Sequence, residues 1–381
     1  MNFQPLRDFL DYYLPMLGIP GSDTCIYRNH EEIFRYQSGY DSLRYRTPVR
    51  DNALYHMYSI TKVSTCVAAT QLIERGEILT SDPVYAYFPE FRDINVKVTN
   101  PDGSVDIRPA KKPLLIQHLL TMTGGLNYDI RRPALLDARE RTGGRCPTLD
   151  MVRAMARDPF EFEPGTGFMY SLCLDVIGGI VELVSGVRFG EYLRDNLFHP
   201  LGMYRTSFGI DDEKRAMLAT QYEYDSLNKR AVEIPIDKND YNFGPEYESG
   251  GAGLISCVDD QILLADALAN YGVGKNGNRI LSRFGVDLMR ANAMVGDLEH
   301  SFNVDQYRGG YGYGYGVRTR IKGSDGNLAP EGEFGWDGAR LSYMSCDPAN
   351  RLAVFHAEHM GGLHAVVIPR LNNIIYSCLG E

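Results

Sequence analysis

The sequence predicts an α/β fold in which one α/β domain is interrupted by a helical insertion. Segments typical of strands and of helices alternate at both ends of the 381-residue chain, whereas the middle carries mainly helical patterns. This order of elements is typical of a sheet-containing domain whose two halves are distant in the sequence. We place the α/β domain at residues 1–79 and 245–381, and the mainly helical insertion at residues 80–244.

The N-terminal half of the α/β domain contains a helix, a hairpin and a second helix. Apolar residues recur at helical spacing over residues 3–17 and stop at Gly18, which predicts the first helix. Segments 24–28 and 33–36 flank a polar turn and are typical of a β-hairpin. An apolar helix then begins near Ser59 and stops at a glycine.

The predicted insertion opens with a loop and continues with helices. Residues 80–110 are rich in Pro, Asp and Asn, so the α/β pattern breaks off there. Four helical segments follow, at 114–122, Thr148–Met155, 174–184 and 190–197.

Strand patterns return after residue 245. The predicted elements are a strand at 250–256, a helix at 258–270, a strand at 311–318, a hairpin at 341–346 and 352–358, and a terminal helix at 361–379. In segment 311–318 tyrosines alternate with glycines. The glycines share one face of the strand, which would let a second backbone approach closely.

Composition limits the partners and the compartment. The net charge of −10 and the pI near 5.4 argue against nucleic acid and against an anionic membrane surface as partners. The seven cysteines are odd in number and scattered, which favours reduced thiols. The N-terminus lacks the pattern of a signal peptide, and no stretch of 18 apolar residues predicts a membrane span. We therefore expect a cytoplasmic protein that acts on a small molecule; the sequence does not give its oligomeric state.

The most informative stretch is Ser59-Ile60-Thr61-Lys62 at the start of the apolar helix. Residues three apart lie on one face of a helix, so the Ser59 hydroxyl and the Lys62 amine can meet. A serine becomes a good nucleophile beside a base, and a lysine amine is a base near neutral pH only if burial lowers its pKa. The apolar neighbours of this pair predict that burial.

Other chemical motifs are absent or weak. A second Ser-x-x-Lys at Ser226 lies in a polar, turn-rich stretch, and we interpret it as accidental. The sequence has neither a Gly-x-Ser-x-Gly nor a P-loop pattern. His356, Glu358, His359 and His364 are close in sequence but match no zinc signature. We therefore expect no metal and no cofactor.

Five phrases follow one another along the chain: Ser59-Ile60-Thr61-Lys62, the segment 116–126, the segment 164–171, Gly250-Gly251-Ala252-Gly253-Leu254, and Phe334-Gly335-Trp336-Asp337-Gly338. In this order they resemble the serine β-lactamase-related hydrolases, a group that includes class C β-lactamases, low-molecular-weight penicillin-binding proteins, D-aminopeptidases and family VIII carboxylesterases. The resemblance covers roughly residues 15–375.

The resemblance implies a β-lactamase/transpeptidase-like fold, in which helices flank an antiparallel sheet and an inserted helical domain forms the other wall of an active-site cleft. It implies that Ser59 attacks an acyl carbonyl and that Lys62 takes or relays its proton. Tyr170 would pass a proton to the leaving group. The backbone N–H groups of Ser59 and Ala339 would form the oxyanion hole.

The resemblance also implies which residues contact the substrate, and two of these residues differ from those usual in the family. Leu172 occupies the position where the family usually has an asparagine. Leucine cannot form the hydrogen bond that the asparagine would make with an amide on the acyl side of the substrate. Trp336 and Gly338 lie in the phrase that borders the cleft, where Trp336 replaces a cation by an apolar wall with one N–H donor. Asp337 would favour a cationic substrate, and Arg340 would favour an anionic one.

These features predict a serine hydrolase that works through an acyl-enzyme on Ser59, most readily on small acyl esters. Two alternatives stay open at this point. One is a β-lactamase or a D-stereospecific peptidase or amidase on the same scaffold. The other is a penicillin-binding-like ligand sensor without catalysis.

Overall fold

The computed structural model describes residues 1–51, 53–306, 308–321 and 325–380. Its strands in chain order are β1 (Gly21–Arg28), β2 (Glu31–Ser42), β3 (Thr47–Pro48), β4 (Tyr55–His56), β5 (Asn95–Thr99), β6 (Val105–Pro109), β7 (Gln221–Asp225), β8 (Arg230–Ile234), β9 (Ile255–Ser256), β10 (Tyr311–Tyr313), β11 (Arg318–Arg320), β12 (Phe334–Asp337), β13 (Ser342–Asp347), β14 (Leu352–Ala357) and β15 (Met360–Gly361).

The helices complete the architecture. They are α1 (Gln4–Asp8), α2 (Leu14–Met16), α3 (Thr61–Glu74), α4 (Ile116–Leu120), α5 (Pro133–Arg141), α6 (Thr148–Met155), α7 (Cys173–Ser185), α8 (Phe189–Leu193), α9 (His199–Leu201), α10 (Asp212–Met217), α11 (Val258–Ala269), α12 (Arg283–Met289), α13 (Asp297–Gln306) and α14 (His364–Leu379). A π-helical turn at Phe9–Tyr13 joins α1 to α2, and another at Arg194–Phe198 joins α8 to α9.

An eight-stranded antiparallel sheet is the centre of the fold. Its strand order is β10-β11-β12-β13-β14-β1-β2-β3, so strands from the two ends of the chain meet where β14 pairs with β1. The pairing is fixed by burial on both faces of the sheet. Ile26 packs with the terminal helices on one face, while its neighbours Cys25 and Tyr27 belong to the main core on the other face.

Helices cover both faces of this sheet. The N-terminal helices and α14 share one apolar cluster with the sheet, and α11 packs against β1, β13 and β14 on the opposite side. Helix α3 is buried along nearly its whole length, from Thr61 to Leu72. It therefore lies between the sheet domain and the helices of the middle of the chain, which include α7.

The fold class is confirmed: the chain has a β-lactamase/transpeptidase-like fold with a mostly antiparallel sheet and helices. Both predicted hairpins are present, as β1–β2 and β13–β14, and helix α6 has the predicted bounds. The terminal helix begins at His364 rather than at residue 361. All strands of the large sheet come from residues 21–48 and 311–357.

The interpretation of residues 80–110 as a loop excursion was wrong in part, because β5 and β6 form a hairpin there. Strands β7 and β8 form another hairpin within the predicted insertion, and β7 also pairs in parallel with β15 near the C-terminus. The middle of the chain is thus held to the sheet domain by backbone hydrogen bonds. The division at residues 79 and 245 stays a prediction.

Three other interpretations of the sequence concern the Ser226 motif, the cysteines and membrane spans. The Ser226 segment lies in the exposed turn between β7 and β8, where neighbouring Leu227 is 92% exposed, so this Ser-x-x-Lys does not lie on a helix. All seven cysteines are buried. Among the described residues, no helix is both long enough and apolar enough to cross a bilayer.

The alternating Tyr–Gly segment is shorter as a strand than predicted, since β10 ends at Tyr313 and the chain turns before β11. The predicted close approach is confirmed. A Cβ at Gly314 would lie 2.2 Å from the Met289 carbonyl oxygen, and the next residue, Tyr315, donates its N–H to that same oxygen at 2.8 Å. Only a residue without a side chain fits there.

We expect Gly314→Ala to lower the free energy of unfolding by about 1–3 kcal/mol, because the added methyl group must displace backbone. Urea unfolding measures the change. Gly309→Ala is the control, since a Cβ at Gly309 meets nothing within 4 Å. Equal stability of the two variants would contradict the close approach.

Candidate active site

Ser59 lies in a single 3-10 turn, Tyr58–Ile60, that leads directly into α3. The preceding residue, Tyr58, adopts φ of 47°, which is a strained conformation for a residue with a side chain. Its hydroxyl is held 2.7 Å from Gln221 Oε1 and 2.9 Å from the Lys238 carbonyl oxygen. These contacts hold the bend that presents Ser59 at the edge of the helix.

The amine of Lys62 meets Ser59 as the spacing predicts. Lys62 Nζ lies 3.2 Å from Ser59 Oγ, 2.7 Å from the Gly251 carbonyl oxygen and 2.5 Å from the Tyr128 hydroxyl. The side chain of Lys62 is fully buried, whereas Ser59 is partly exposed. The nucleophile thus faces the pocket and the amine lies beneath it.

Burial changes the acid–base chemistry of this amine. Desolvation lowers the pKa of Lys62 from 10.5 to about 7, and the negative charge of Asp175 offsets part of that effect. A substantial fraction of the amine is therefore uncharged at neutral pH. An uncharged amine within hydrogen-bonding distance of a hydroxyl can accept its proton.

Tyr170 lies on the other side of Ser59. Burial raises the pKa of Tyr170 above its ordinary value, an effect opposed by its hydrogen bonds with Ser59 and Trp336. The phenol therefore stays protonated at neutral pH. Trp336 Nε1 donates to the Tyr170 oxygen at 2.7 Å, and the two rings stack with their centroids 5.4 Å apart. Trp336 is only 2% exposed, so its single donor is used to orient Tyr170.

The two predicted oxyanion donors line one pocket. Gly338 donates its N–H to the Ser342 carbonyl oxygen at 2.7 Å, which forms a tight turn with exposed Ala339 at its tip. Among the described residues, the Ala339 N–H donates to no backbone or side-chain acceptor. The pocket has a volume of about 180 Å³ and is lined by Ser59, Tyr128, Tyr170, Tyr241, Gln306, Arg308, Trp336, Asp337, Gly338, Ala339 and His364.

Asp337 has a fixed partner. Arg308 Nη2 lies 2.7 Å from Asp337 Oδ1 and 2.9 Å from Oδ2. Burial alone would raise the pKa of Asp337, but the charges of Arg308, His364 and Arg318 hold it below its ordinary value. The carboxylate is therefore ionised and already neutralised by Arg308.

Two of the predicted substrate contacts lie outside the pocket lining. The Arg340 guanidinium forms an ion pair with Glu223. Leu172 is buried at the start of α7 and is 2% exposed. Arg340 and Leu172 do not line the pocket. The structure thus brings together the seven other predicted site residues: Ser59, Lys62, Tyr170, Trp336, Asp337, Gly338 and Ala339.

Tyr128 and Arg308 line the pocket or contact its lysine but were not predicted as site residues, and His364 was considered only as a metal ligand. Tyr128 contacts Lys62 Nζ, and Arg308 stacks over the Trp336 ring with its guanidinium carbon 4.8 Å from the ring centroid. His364 Nε2 lies 2.7 Å from the Gly338 carbonyl oxygen. Tyr128 follows the Gly124-Gly125-Leu126 phrase closely, which was the one available signal; a lone arginine or histidine distant in sequence carries none.

The histidines considered as metal ligands have other partners. His356 is buried between Thr24 Oγ1, 2.8 Å from its Nδ1, and Glu358 Oε1, 3.0 Å from its Nε2. His359 Nδ1 lies 3.0 Å from the Ala219 carbonyl oxygen. These contacts join strands and loops of the sheet domain.

The fold together with a buried lysine beside a serine defines the class of serine enzymes that hydrolyse or transfer acyl groups. The family model for Beta-lactamase matches residues 6–357, and the chain belongs to this family.

Several known proteins are similar to this chain. An uncharacterized protein, MT1414, from Mycobacterium tuberculosis (strain CDC 1551 / Oshkosh) is 26% identical over 346 residues, which is 89% of this chain and 85% of the relative. Esterase EstB from Burkholderia gladioli is 30% identical over 272 residues, or 66% of each chain. The solved structure of EstCE1, described as a hydrolase with promiscuous acyltransferase activity, has a TM-score of 0.78 at 24% identity and 99% coverage of both chains.

Lys62→Met should change how stability depends on pH. The folded-state pKa near 7 lies below the unfolded value of 10.5, so between these values the unfolded chain binds one more proton than the folded chain. The stability of the native protein should therefore rise relative to the variant by about 1.4 kcal/mol per pH unit from pH 7.5 to 9.5. Below pH 7 the two curves should run parallel.

Urea unfolding at pH 6, 8 and 9 measures this difference. Lys112→Met is the control, because Lys112 is exposed. Burial and the charge of Lys112 lower the pKa of His118 to about 4, so this variant should give a curve parallel to that of the native protein above pH 7, where that imidazole is uncharged. If the Lys62→Met curve is also parallel above pH 7, Lys62 titrates as an exposed lysine does.

Proposed function

We propose that this protein is a serine esterase that forms an acyl-enzyme on Ser59. The observation that carries the proposal is the 3.2 Å contact between Ser59 Oγ and the fully buried Lys62 Nζ, whose pKa is lowered to about 7. A general base needs a pKa near the working pH and direct contact with the proton it removes. Lys62 meets both conditions.

The proton movements follow from this arrangement. The neutral Lys62 amine takes the Ser59 proton while Oγ bonds to the ester carbonyl carbon, whose oxygen becomes negative. The N–H groups of Ser59 and Ala339 would stabilise that oxygen. When the bond to the alcohol breaks, the leaving oxygen receives a proton through the Tyr170 hydroxyl, and Lys62 returns to its neutral form. Water then attacks the acyl carbon while the Lys62 amine takes one of its protons. The bond between the acyl carbon and Ser59 Oγ breaks, the acid leaves, and Lys62 returns the proton to Oγ.

The charges around the pocket support an uncharged ester as the substrate. Arg308 is paired with Asp337, and Arg340 is paired with Glu223, so neither guanidinium is left to bind the carboxylate of a penicillin or a peptide. Asp337, being neutralised, gives no preference for a cation. Leu172 offers no amide for the acyl side of a peptide. These points favour the esterase over the β-lactamase or peptidase alternatives, and the ionisable catalytic groups argue against a non-catalytic sensor.

A cytoplasmic location stays a prediction, which depends on the scattered cysteines, the N-terminal sequence and the lack of a long apolar stretch.

Acyl transfer to an alcohol is a second candidate, and a neighbouring cavity favours it. This cavity has a volume of about 690 Å³ and shares Gln306, Arg308 and His364 with the catalytic pocket. Its apolar wall includes Ile368 on α14. The stacked side chains of Tyr170, Trp336 and Arg308 extend toward this cavity from Tyr170, which protonates the leaving oxygen. The alcohol half of an ester would therefore lie in the cavity. An acceptor alcohol would occupy the same place when it replaces water, in line with the acyltransferase activity in the description of EstCE1.

The acyl-enzyme can be tested by intact mass after brief incubation with p-nitrophenyl acetate. The native protein should gain one acetyl group, whereas Ser59→Ala should gain none and lose at least about 10⁴-fold in kcat/KM. Ser226→Ala, at the second Ser-x-x-Lys, is the matched control and should behave as the native protein does. Labelling of Ser59→Ala would overturn the proposal, and faster acylation by nitrocefin than by the ester would favour the β-lactamase alternative.

The place of the alcohol half can be tested by filling the cavity. Ile368→Trp should lower kcat/KM for 1-naphthyl acetate about tenfold or more while leaving that for ethyl acetate within about twofold, since only the larger alcohol needs the space. Ile374→Trp is the control, because Ile374 lies on the same helix but lines a different groove. An equal loss with both esters would count against this placement.

A further inference from the structure

Asp175 is a buried carboxylate close beneath the catalytic groups. It lies in the first turn of α7 and is 1% exposed. Its Oδ1 accepts hydrogen bonds from Tyr247 Oη at 2.7 Å and from Ser249 Oγ at 2.6 Å. A buried carboxylate is costly unless nearby groups compensate its charge, so its partners indicate what it does.

The hydrogen bonds of Asp175 hold the glycine-rich segment that touches Lys62. Ser249 Oγ, besides donating to Asp175, accepts the Ala252 N–H at 3.0 Å. Between these residues, the Gly251 carbonyl oxygen accepts from Lys62 Nζ at 2.7 Å. A Cβ at Gly251 would lie 2.5 Å from Asp175 Oδ2, so the backbone lies directly against the carboxylate.

The second oxygen of Asp175 lies against the Gly251 backbone. Among the described residues, no side chain donates a hydrogen bond to Asp175 Oδ2, and the nearby Gly251 N–H favours the ionised form of the carboxyl. The charge of the carboxylate acts on Lys62 across the Gly251 backbone. The other groups that act on or contact the amine are the Cys66 and Cys173 thiols and the Tyr128 and Tyr170 phenols. Asp175 is the one carboxylate in that set.

We propose that Asp175 is a positioning residue for the catalytic lysine: its carboxylate fixes the 249–251 segment that binds Lys62 and supplies the negative charge that favours the ammonium form. This proposal rests on the acyl-enzyme chemistry proposed above. When Ser59 attacks, its proton moves to Lys62, and an ammonium ion forms at a fully buried position. Attraction from Asp175 stabilises that ion at the moment it forms.

The same attraction sets the pH at which the base works. Complete burial alone would keep Lys62 uncharged but too weak a base to hold the serine proton. Asp175 opposes the desolvation and raises the pKa of the amine toward neutrality. Tyr128 and Tyr170 are protonated at neutral pH and cannot supply this charge.

Asp175→Asn tests the charge while keeping an oxygen that can accept from Tyr247 and Ser249. We expect the acid limb of kcat/KM for p-nitrophenyl acetate, near pH 7 in the native protein, to move down by about one pH unit. The plateau value should fall about 10-fold or more, because the ammonium ion is less stabilised. Asp175→Ser removes the charge with a smaller side chain and should shift the limb in the same direction. It serves as a second variant if the asparagine variant does not fold.

Asp260→Asn is the matched control. Asp260 is also buried, and its Oδ2 accepts from the Thr206 hydroxyl at 2.8 Å and from the Arg205 N–H at 2.8 Å, but it is not among the groups that act on Lys62. This variant should leave the acid limb in place. Asp175→Glu, which keeps the charge, should return the limb toward its native position.

The outcomes separate this proposal from the proposed function. If Ser59 is acylated but both neutral Asp175 variants keep the native acid limb, Asp175 is merely structural and the positioning role is overturned. If the native protein is not acylated at all, the esterase proposal itself fails. A shifted limb in the Asp175 variants and not in Asp260→Asn supports the positioning role.

Discussion

The constraint on which the rest of the site depends is the burial of one amine beside one hydroxyl. Lys62 is placed one helical turn after Ser59 and is fully enclosed, so its proton affinity is set by its surroundings rather than by solvent. Desolvation weakens the base, and Asp175 strengthens it again. A buried cation of this kind lowers stability, and natural active sites commonly carry such local costs. The strained backbone conformation of Tyr58 is a second local cost to stability at this site.

No single segment of the chain builds this enclosure. The serine and lysine come from the N-terminal half of the sheet domain, Tyr128 and Tyr170 come from the middle of the chain, and Gly251 and Trp336 come from the C-terminal part. The β1–β14 pairing joins the two distant halves of the sheet, and β7–β15 ties the middle of the chain to the C-terminus. The amine is therefore desolvated only when all three segments are in place, which makes catalytic competence a property of the complete fold.

Patterns of neighbouring residues predicted those features of the structure that depend only on residues close together in the sequence. The spacing of Ser59 and Lys62 follows from helical geometry, and the apolar period gave the bounds of α6. The glycines of segment 311–316 indicated a close backbone approach, which the Met289 contact bears out. The hairpin β5–β6 was missed although apolar and polar residues alternate in both strands, because the strands are short and mostly exposed and the segment around them is rich in the Pro, Asp and Asn residues typical of loops. Tyr128 and Arg308 were missed because their partners are distant in sequence; the nearby Gly124-Gly125-Leu126 phrase was a signal for Tyr128, and Arg308 had none.

The only tryptophan illustrates why pocket chemistry cannot be assigned residue by residue from the chain. From its position in the sequence, we expected Trp336 to form an apolar wall and to donate a hydrogen bond to the substrate. In the structure its N–H donates to Tyr170, and its ring contacts the side chains of Tyr170 and Arg308. Arg308, which stacks on the Trp336 ring, also pairs with Asp337, so one arginine covers the ring and neutralises the negative charge of the pocket. What remains open toward Ser59 is a small, nearly neutral space with backbone donors at one end. We expect such a space to select substrates mainly by size, since the described residues that line it offer no unpaired charge.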